Sequence, residues 1–272
     1  MFENIKVIAA DIDGTITRSD HSTSKVNTEA IEKLREYGYL FGLASGRPVE
    51  DIDKKYLEWG LNKQFDFIIG WNGCQLYDDK TKKSYNYNYL KKEEIKEIIE
   101  FMDEFDATIN MYKPGKFYSS KESNRAIFSA YRIKREFVLI NNIEDFYDTD
   151  NGGIMFRTTV ELMPKIEEKV KKYLSNKNYA GFKTQEDLME FANKSCNKGY
   201  ALKKYCELNG ISLDDCIAFG DTTNDNEMLK VCYGVCMKNG SDDTKACAKQ
   251  ISDIECDDDG FAKFAYKYLL NK

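Results

Sequence analysis

The chain has 272 residues, 42% of them hydrophobic and 32% charged, and its 46 acidic against 40 basic residues leave a net charge of −6. That length suits one large domain or two modest ones with a real core. An acidic chain without a long Lys/Arg run argues against nucleic-acid binding, and none of its apolar runs approaches the ~18–20 residues of a membrane span.

The first segment, Met1-Phe2-Glu3-Asn4-Ile5-Lys6, has no basic stretch followed by an apolar run, so it does not read as a signal peptide and a cytoplasmic protein is expected. Residues 5–10, Ile-Lys-Val-Ile-Ala-Ala, predict a buried strand. Ile31 and Leu34 sit at helical spacing among charges, which predicts a helix from Thr28 to Tyr37 with Asn27 or Thr28 as cap and Gly38 as stop. A second strand is expected over 39–44, a helix opened by Pro48, and a third strand over 65–69. This alternation predicts an α/β unit with a parallel sheet.

The pattern then changes. Residues 74–89 read as a hairpin, 91–105 as a helix and 107–112 as a strand, while 114–160 carry no period that assigns them. A helix opened by Pro164 should run over 164–175, with short strands near 180–184 and 188–192. Regular alternation returns after residue 197: helix 198–209, strand 215–219, helix 224–232, strand 233–236, helix 241–249 and helix 260–270. The expected organisation is a discontinuous α/β core, 1–81 with 189–272, interrupted by an α+β insert, 82–188. The eight cysteines, at 74, 196, 206, 216, 232, 236, 247 and 256, include no CxxC, and reduced thiols are expected. The single histidine, His21, rules out chemistry needing a histidine pair and reads as a solvated loop residue.

Four short segments carry the chemistry. Asp11-Ile12-Asp13-Gly14-Thr15 follows the first strand, and a period of two puts Asp11 and Asp13 on one face. Adjacent carboxylates repel, so one must protonate or a cation must bind. Gly14 permits a sharp turn and Thr15 offers a hydroxyl. After the second strand, the Ser45 hydroxyl and the Gly46 amide in Ser45-Gly46-Arg47 can bind an anion. Lys198, beside Gly199, falls in the first turn of a helix capped by Asn197, a position that makes physical sense if it faces an anion drawn to the same helix end. Gly220-Asp221-Thr222-Thr223-Asn224-Asp225 again puts carboxylates after an apolar strand. Strand C-terminal ends share one edge of an open parallel sheet, where ligands bind, so these segments can converge. A cluster of oxygen ligands there suits Mg²⁺ with a phosphate, Lys198 and Ser45 supplying donors.

The ordered set Asp11-x-Asp13-Gly14-Thr15, Ser45-Gly46-Arg47, Lys198-Gly199 and Gly220-Asp221-x-x-Asn224-Asp225 resembles the haloacid dehalogenase superfamily, specifically its Cof-type phosphatases. Trp71-Asn72-Gly73 is similar to the Asn-Gly turn that follows the third core strand in that family. The resemblance spans the chain and implies a Rossmann-like core with a type II (C2) cap inserted between the second and third motifs. It implies a phosphatase in which Asp11 attacks phosphorus and forms an aspartyl-phosphate, while Asp13 protonates the leaving oxygen and then activates water. By the same resemblance, the side chains of Asp11 and Asp221 and the main-chain carbonyl of Asp13 bind Mg²⁺. Thr15, Ser45, Gly46, Lys198 and Asn224 hold the phosphate. Arg47, Asn72, Gly73 and Asp225 support the site or touch the substrate. The expected substrate is a small phosphorylated metabolite such as a sugar phosphate. Tyr87, Lys113, Arg125, Arg157 and Lys183 are polar candidates for contacting it, although surface roles suit each of them better. A phosphomannomutase-like phosphotransferase and a non-catalytic phosphometabolite-binding protein stay open as alternatives. The missing membrane spans exclude an ion-pumping ATPase. No oligomeric state is indicated.

Overall fold

All four residues of β1 (Val7–Ala10) are fully buried. They are flanked by strands on both sides and covered by helices on both faces. The computed structural model describes residues 2–132 and 134–271. After β1 come α1 (Lys25–Glu36), β2 (Leu40–Ala44), the short α2 (Val49–Asp53) and α3 (Lys55–Glu58), β3 (Phe67–Gly70), and a hairpin of β4 (Gln75–Asp78) and β5 (Lys83–Asn86). The chain continues through α4 (Lys92–Met102), β6 (Thr108–Lys113), β7 (Lys116–Ser119), α5 (Asn124–Arg132), β8 (Glu136–Leu139), β9 (Ile154–Arg157), α6 (Met163–Tyr173), β10 (Tyr179–Gln185) and β11 (Leu188–Asn193). It then runs through α7 (Lys198–Asn209), β12 (Cys216–Gly220), α8 (Asn226–Val231), β13 (Tyr233–Cys236), α9 (Asp242–Cys247), β14 (Gln250–Ile251) and α10 (Gly260–Tyr268).

Two compact units result: Met1–Tyr87 with Asn197–Lys272, and Asn88–Cys196. The first holds an eight-stranded sheet in the order β14-β13-β12-β1-β2-β3-β4-β5. It is parallel from β14 through β3, and β4 and β5 add antiparallel at one edge. Ile8 and Ala10 pack into one core with Ile31 and Leu34 of α1 and Phe261 and Phe264 of α10. Val7 and Ala9 pack into the opposite core with Ala201, Leu202 and Tyr205 of α7 and Met228 and Leu229 of α8. Burial on both faces is why these strands are apolar runs and not alternating patterns. The parity has a consequence for the next residue. Asp11 continues the ladder, donating its N–H to Phe219 O at 2.9 Å, and so shares the face of Val7 and Ala9, toward α7.

The second unit is a six-stranded sheet in the order β10-β11-β9-β6-β7-β8, antiparallel except for the parallel β7–β8 pair. Ile95, Ile98 and Met102 of α4 and Ile166 of α6 cover one face, over Ile109, Met111, Ile154, Phe156 and Phe191. Ala126 and Ala130 of α5 pack on the other, against Phe117, Met155 and Leu188. Within 114–160 the strands are four residues long, so each shows only two inward positions, too few to display a period.

The structure moves several expected boundaries. β5 pairs with β4 and belongs to the first unit, while β11 pairs with β10 and β9 and belongs to the second, so the divisions fall after Tyr87 and after Cys196 rather than at 81/82 and 188/189. Ser24, not Asn27 or Thr28, caps α1, accepting from Asn27 N at 3.0 Å. The helix expected over 224–232 begins as a 3₁₀ turn, Thr223–Asp225. The one expected over 241–249 stops at Cys247, and the two-residue edge strand β14 follows, too short to read from sequence. Cys206, Cys216, Cys232, Cys236, Cys247 and Cys256 are free thiols, as expected of all eight, but Cys74 and Cys196 are disulfide-bonded. Among the described residues, no helix is long and apolar enough to cross a membrane.

Asn27, displaced from the cap, is fully buried and ties three segments together. Its Nδ2 donates to Ile16 O at 2.8 Å, and its Oδ1 accepts from Ala262 N at 3.1 Å. Asn27→Ala would strand a buried carbonyl and a buried N–H. The expected loss is about 2–4 kcal/mol of unfolding free energy, read by urea titration.

Candidate active site

The centre of the site is an ammonium group with no exposure. Lys198 opens α7, whose cap Asn197 accepts from Tyr200 N at 2.7 Å. Its Nζ lies 2.5 Å from Asp11 Oδ1 and 2.6 Å from Asp225 Oδ1. The other Asp225 oxygen accepts from the main-chain N–H of Asp221 at 3.0 Å and of Thr222 at 3.2 Å. Asp225 therefore spends both oxygens inside the protein and orients the lysine. Two glycines make the approach possible. A Cβ at Gly220 would lie 2.5 Å from the Asp225 side chain, and one at Gly199 would strike Glu227 O on α8.

Asp221 is the third buried carboxylate. Its Oδ1 accepts from the Thr15 hydroxyl at 3.1 Å. Gly14, at φ +81°, passes so close that a Cβ there would sit 2.5 Å from Asp221 Oδ2. The glycine serves both the turn and this contact. Thr15 was expected to bind phosphate; in the structure its hydroxyl donates to Asp221. Asn239 holds the same turn, donating to Gly14 O at 2.8 Å; no sequence pattern marks it.

Asp13 has hydrogen-bond partners different from those of Asp11. The chain turns at Ile12, whose carbonyl accepts from the N–H groups of Ile16 at 3.1 Å and Thr17 at 2.8 Å. Beyond that turn the Asp13 carboxylate has its own partners. Arg47 Nη2 donates to both its oxygens, at 2.9 and 2.7 Å, and His21 Nδ1 lies 3.0 Å from Oδ1. Repulsion within the Asp11/Asp13 pair called for a proton or a cation; in the structure the Arg47 guanidinium meets the Asp13 side chain and the Lys198 ammonium meets Asp11. His21 is exposed, as expected, but its ring is engaged.

Ser45 is buried and extends the β2–β3 ladder, its N–H donating to Ile69 O at 2.9 Å and its carbonyl accepting from Asn72 N at 3.0 Å. Its hydroxyl oxygen accepts from Arg47 N at 3.3 Å, which leaves its own hydrogen free to donate. Gly46 runs beside the Asn72 amide. Asn72, at φ +50°, accepts from Asn224 Nδ2 at 3.1 Å, and Thr222 Oγ donates to Asn224 Oδ1 at 2.8 Å. The Asn224 amide thus joins the second motif's neighbourhood to the fourth. Gly73, at φ +101°, backs directly onto Asn197 O at the start of α7.

The charges do not balance. Oxygens of Asp11, Asp221 and Asp225 lie within 4.8 Å of one another, with Lys198 the cation among them. Burial pushes the Asp11 carboxyl well up despite Lys198, and burial followed by Asp225 pushes Asp221 up to about 6. Burial opposes the Lys198 charge, yet Asp11 and Asp225 outweigh it and raise its pKa. The unmet negative charge and all-oxygen donors fit a hard divalent cation. Since Asp225 is committed to Lys198, Asp11 and Asp221 are the side chains able to take it.

The polar candidates further along the chain have partners of their own. Arg125 and Arg157 both pair with Asp187 at 2.6 Å, Lys113 pairs with Asp148, and Lys183 lies 3.4 Å from Glu167. Tyr87 belongs to the first unit and stacks on Tyr85.

The family described as haloacid dehalogenase-like hydrolase matches residues 8–264. An HMP-PP phosphatase of Yersinia pseudotuberculosis serotype O:1b is 24% identical over 266 residues, covering 97% of this chain and 95% of its own. A haloacid dehalogenase-like hydrolase from Bacteroides thetaiotaomicron superposes with a TM-score of 0.86 at 24% identity, covering 97% of this chain and 99% of that one. TM0651 from Thermotoga maritima gives 0.85 at 21% identity, with 97% of each chain covered. A structure described as the subclass IIB sugar phosphatase BT4131 gives 0.78 at 21%, covering 97% and 98%. The ordered motifs, the parallel sheet that gathers them and the match along most of its length place this chain among the haloacid dehalogenase-like hydrolases.

Proposed function

We propose that this chain is a Mg²⁺-dependent phosphatase that hydrolyses a small phosphorylated metabolite through an aspartyl-phosphate on Asp11. The observation that carries the reading is the buried Lys198 clamped between Asp11 and Asp225, beside an Asp221 that forms no salt bridge among the described residues. A carboxylate nucleophile facing an anion needs its own charge and the phosphate's offset; Lys198 supplies part of that, and a divalent cation at Asp11 and Asp221 would supply the rest. The names of the phosphatase relatives support the same chemistry.

In this reading an Asp11 carboxylate oxygen attacks phosphorus and the ester P–O bond breaks. Asp13 gives its proton to the departing oxygen, so the substrate leaves as the free alcohol. Water then attacks the aspartyl-phosphate, Asp13 takes the water's proton, and inorganic phosphate and the Asp11 carboxylate are released. Lys198 and the Ser45 hydroxyl donate to phosphoryl oxygens, with the Gly46 amide and Asn224 beside them. Asp11, Asp221 and the main-chain carbonyl of Asp13 would hold Mg²⁺, whose chemistry there would be charge neutralisation at the phosphoryl group. Thr15 and Asp225 keep Asp221 and Lys198 in place. The inserted unit, 88–196, is assigned as the type II cap that selects the substrate, for which a sugar phosphate is the leading class.

Purified protein should release phosphate from p-nitrophenyl phosphate in the presence of Mg²⁺, and EDTA should lower the rate about 100-fold or more, with recovery on adding Mg²⁺ back. A rate untouched by EDTA removes the metal from the scheme. Asp11→Asn keeps the side-chain shape and should reduce kcat at least about 10³-fold while the circular dichroism spectrum stays unchanged. A fully active Asp11→Asn protein would rule out covalent chemistry at this residue.

A further inference from the structure

We propose that His21 is a positioning residue for the acid/base carboxylate: it holds Asp13 Oδ1, so that Oδ2 is the oxygen that exchanges the proton with the substrate. The inference rests on the phosphatase reading and adds a residue that neither the motifs nor spacing pick out.

The two Asp13 oxygens are unequal. Oδ1 takes both Arg47 Nη2 and His21 Nδ1, while Oδ2 takes Arg47 alone. With Arg47 Nη2 shared by both oxygens, the guanidinium by itself does little to distinguish them, and a carboxylate so held can turn about its own axis. A second donor on Oδ1 breaks that equivalence. The imidazole fills this role in the tautomer that carries hydrogen on Nδ1, donating to the carboxylate.

The loop that carries His21 is built to keep it there. Arg18 donates to Asp259 Oδ1 at 3.0 Å. Ser19 donates through its N–H to Asp257 Oδ1 at 2.7 Å and through its hydroxyl to Asp257 Oδ2 at 3.0 Å. Inside the loop, Arg18 N donates to Ser22 O and His21 N to Arg18 O, both at 2.9 Å, and Ser22 N donates to Asp20 Oδ1 at 2.9 Å. His21 itself sits at φ +65°. A histidine in the left-handed region persists where its surroundings over-determine it, and here the pinned loop does so. An exposed ring on an anchored, left-handed residue, aimed at the one carboxylate that must deliver a proton, is an orienting device. Orientation of a reacting group contributes to rate without altering how tightly the substrate binds.

Such a role has a kinetic signature that a structural role lacks. Proton delivery matters most when the leaving oxygen is basic. Phenoxide needs the proton far more than p-nitrophenoxide does, so loss of positioning falls on phenyl phosphate more than on p-nitrophenyl phosphate. His21→Ala is expected to lower kcat/KM for phenyl phosphate about tenfold more than for p-nitrophenyl phosphate. KM should change little, and His21→Gln, whose amide can donate to Oδ1, should recover part of the loss. Asp13→Asn, measured in parallel, should show the same leaving-group dependence more strongly. Equal losses on both substrates with His21→Ala, or no loss on either, overturn the role of His21 when Asp13→Asn shows the dependence. If Asp13→Asn shows none, the acid/base assignment itself falls, and the inference with it.

Discussion

The structure of the site depends on one buried cation. Lys198 joins a residue 187 positions earlier to one 27 positions later, and it does so with no exposure to water. Burying an ammonium and its carboxylates costs several kcal/mol per ion, and such clusters add little net stability. Local stability is therefore a weak reason for this arrangement. The proposed chemistry, which brings a carboxylate nucleophile to an anionic substrate, is a stronger one. Even with Lys198 in place, three buried carboxylates share one ammonium, and burial, then Asp225, raises Asp221.

The fold serves that arrangement through parity and close approach. β1, β2 and β12 end at the same edge of the parallel sheet, and each is followed by a polar motif. Alternation along β1 turns Asp11 toward α7, where Lys198 occupies the first turn. Gly14, Gly199 and Gly220 each stand where a Cβ would collide with Asp221, Glu227 or Asp225. Gly14 thus makes room for the fourth motif, Gly220 for Asp225 of its own motif and Gly199 for the main chain of α8, needs that a reading of each motif in isolation does not reveal.

Asp13 illustrates the opposite case. In sequence it is the natural partner of Asp11, two residues away on the same strand face. The strand stops at Ala10, however, and the turn around Ile12 and Gly14 separates the two carboxylates into different environments. One faces a lysine and two acids; the other faces a guanidinium and an imidazole. Two carboxylates with divergent surroundings are suited to divergent tasks.

What the sequence determined by itself is considerable. Apolar runs at β1, β2, β3 and β12, each ending in a motif, were enough for a parallel α/β core, because a strand buried on both faces must be apolar throughout. The interruption by a second α+β segment was legible from the change of period, and so were the residues around Lys198, because their order along the chain is distinctive. Tertiary structure alone decided which oxygen meets which donor. It gave the Thr15 hydroxyl to Asp221, placed Asn224 against Asn72, and brought His21 and Arg47 to Asp13. It also moved the boundaries of the inserted unit to Tyr87 and Cys196, since strand pairing, not residue type, assigns β5 and β11 to their sheets. The reason is physical. Periodicity reports the side of an element that meets the core, which is a local property, whereas hydrogen-bond partners and sheet membership depend on contacts between distant segments that exist only once the chain has folded.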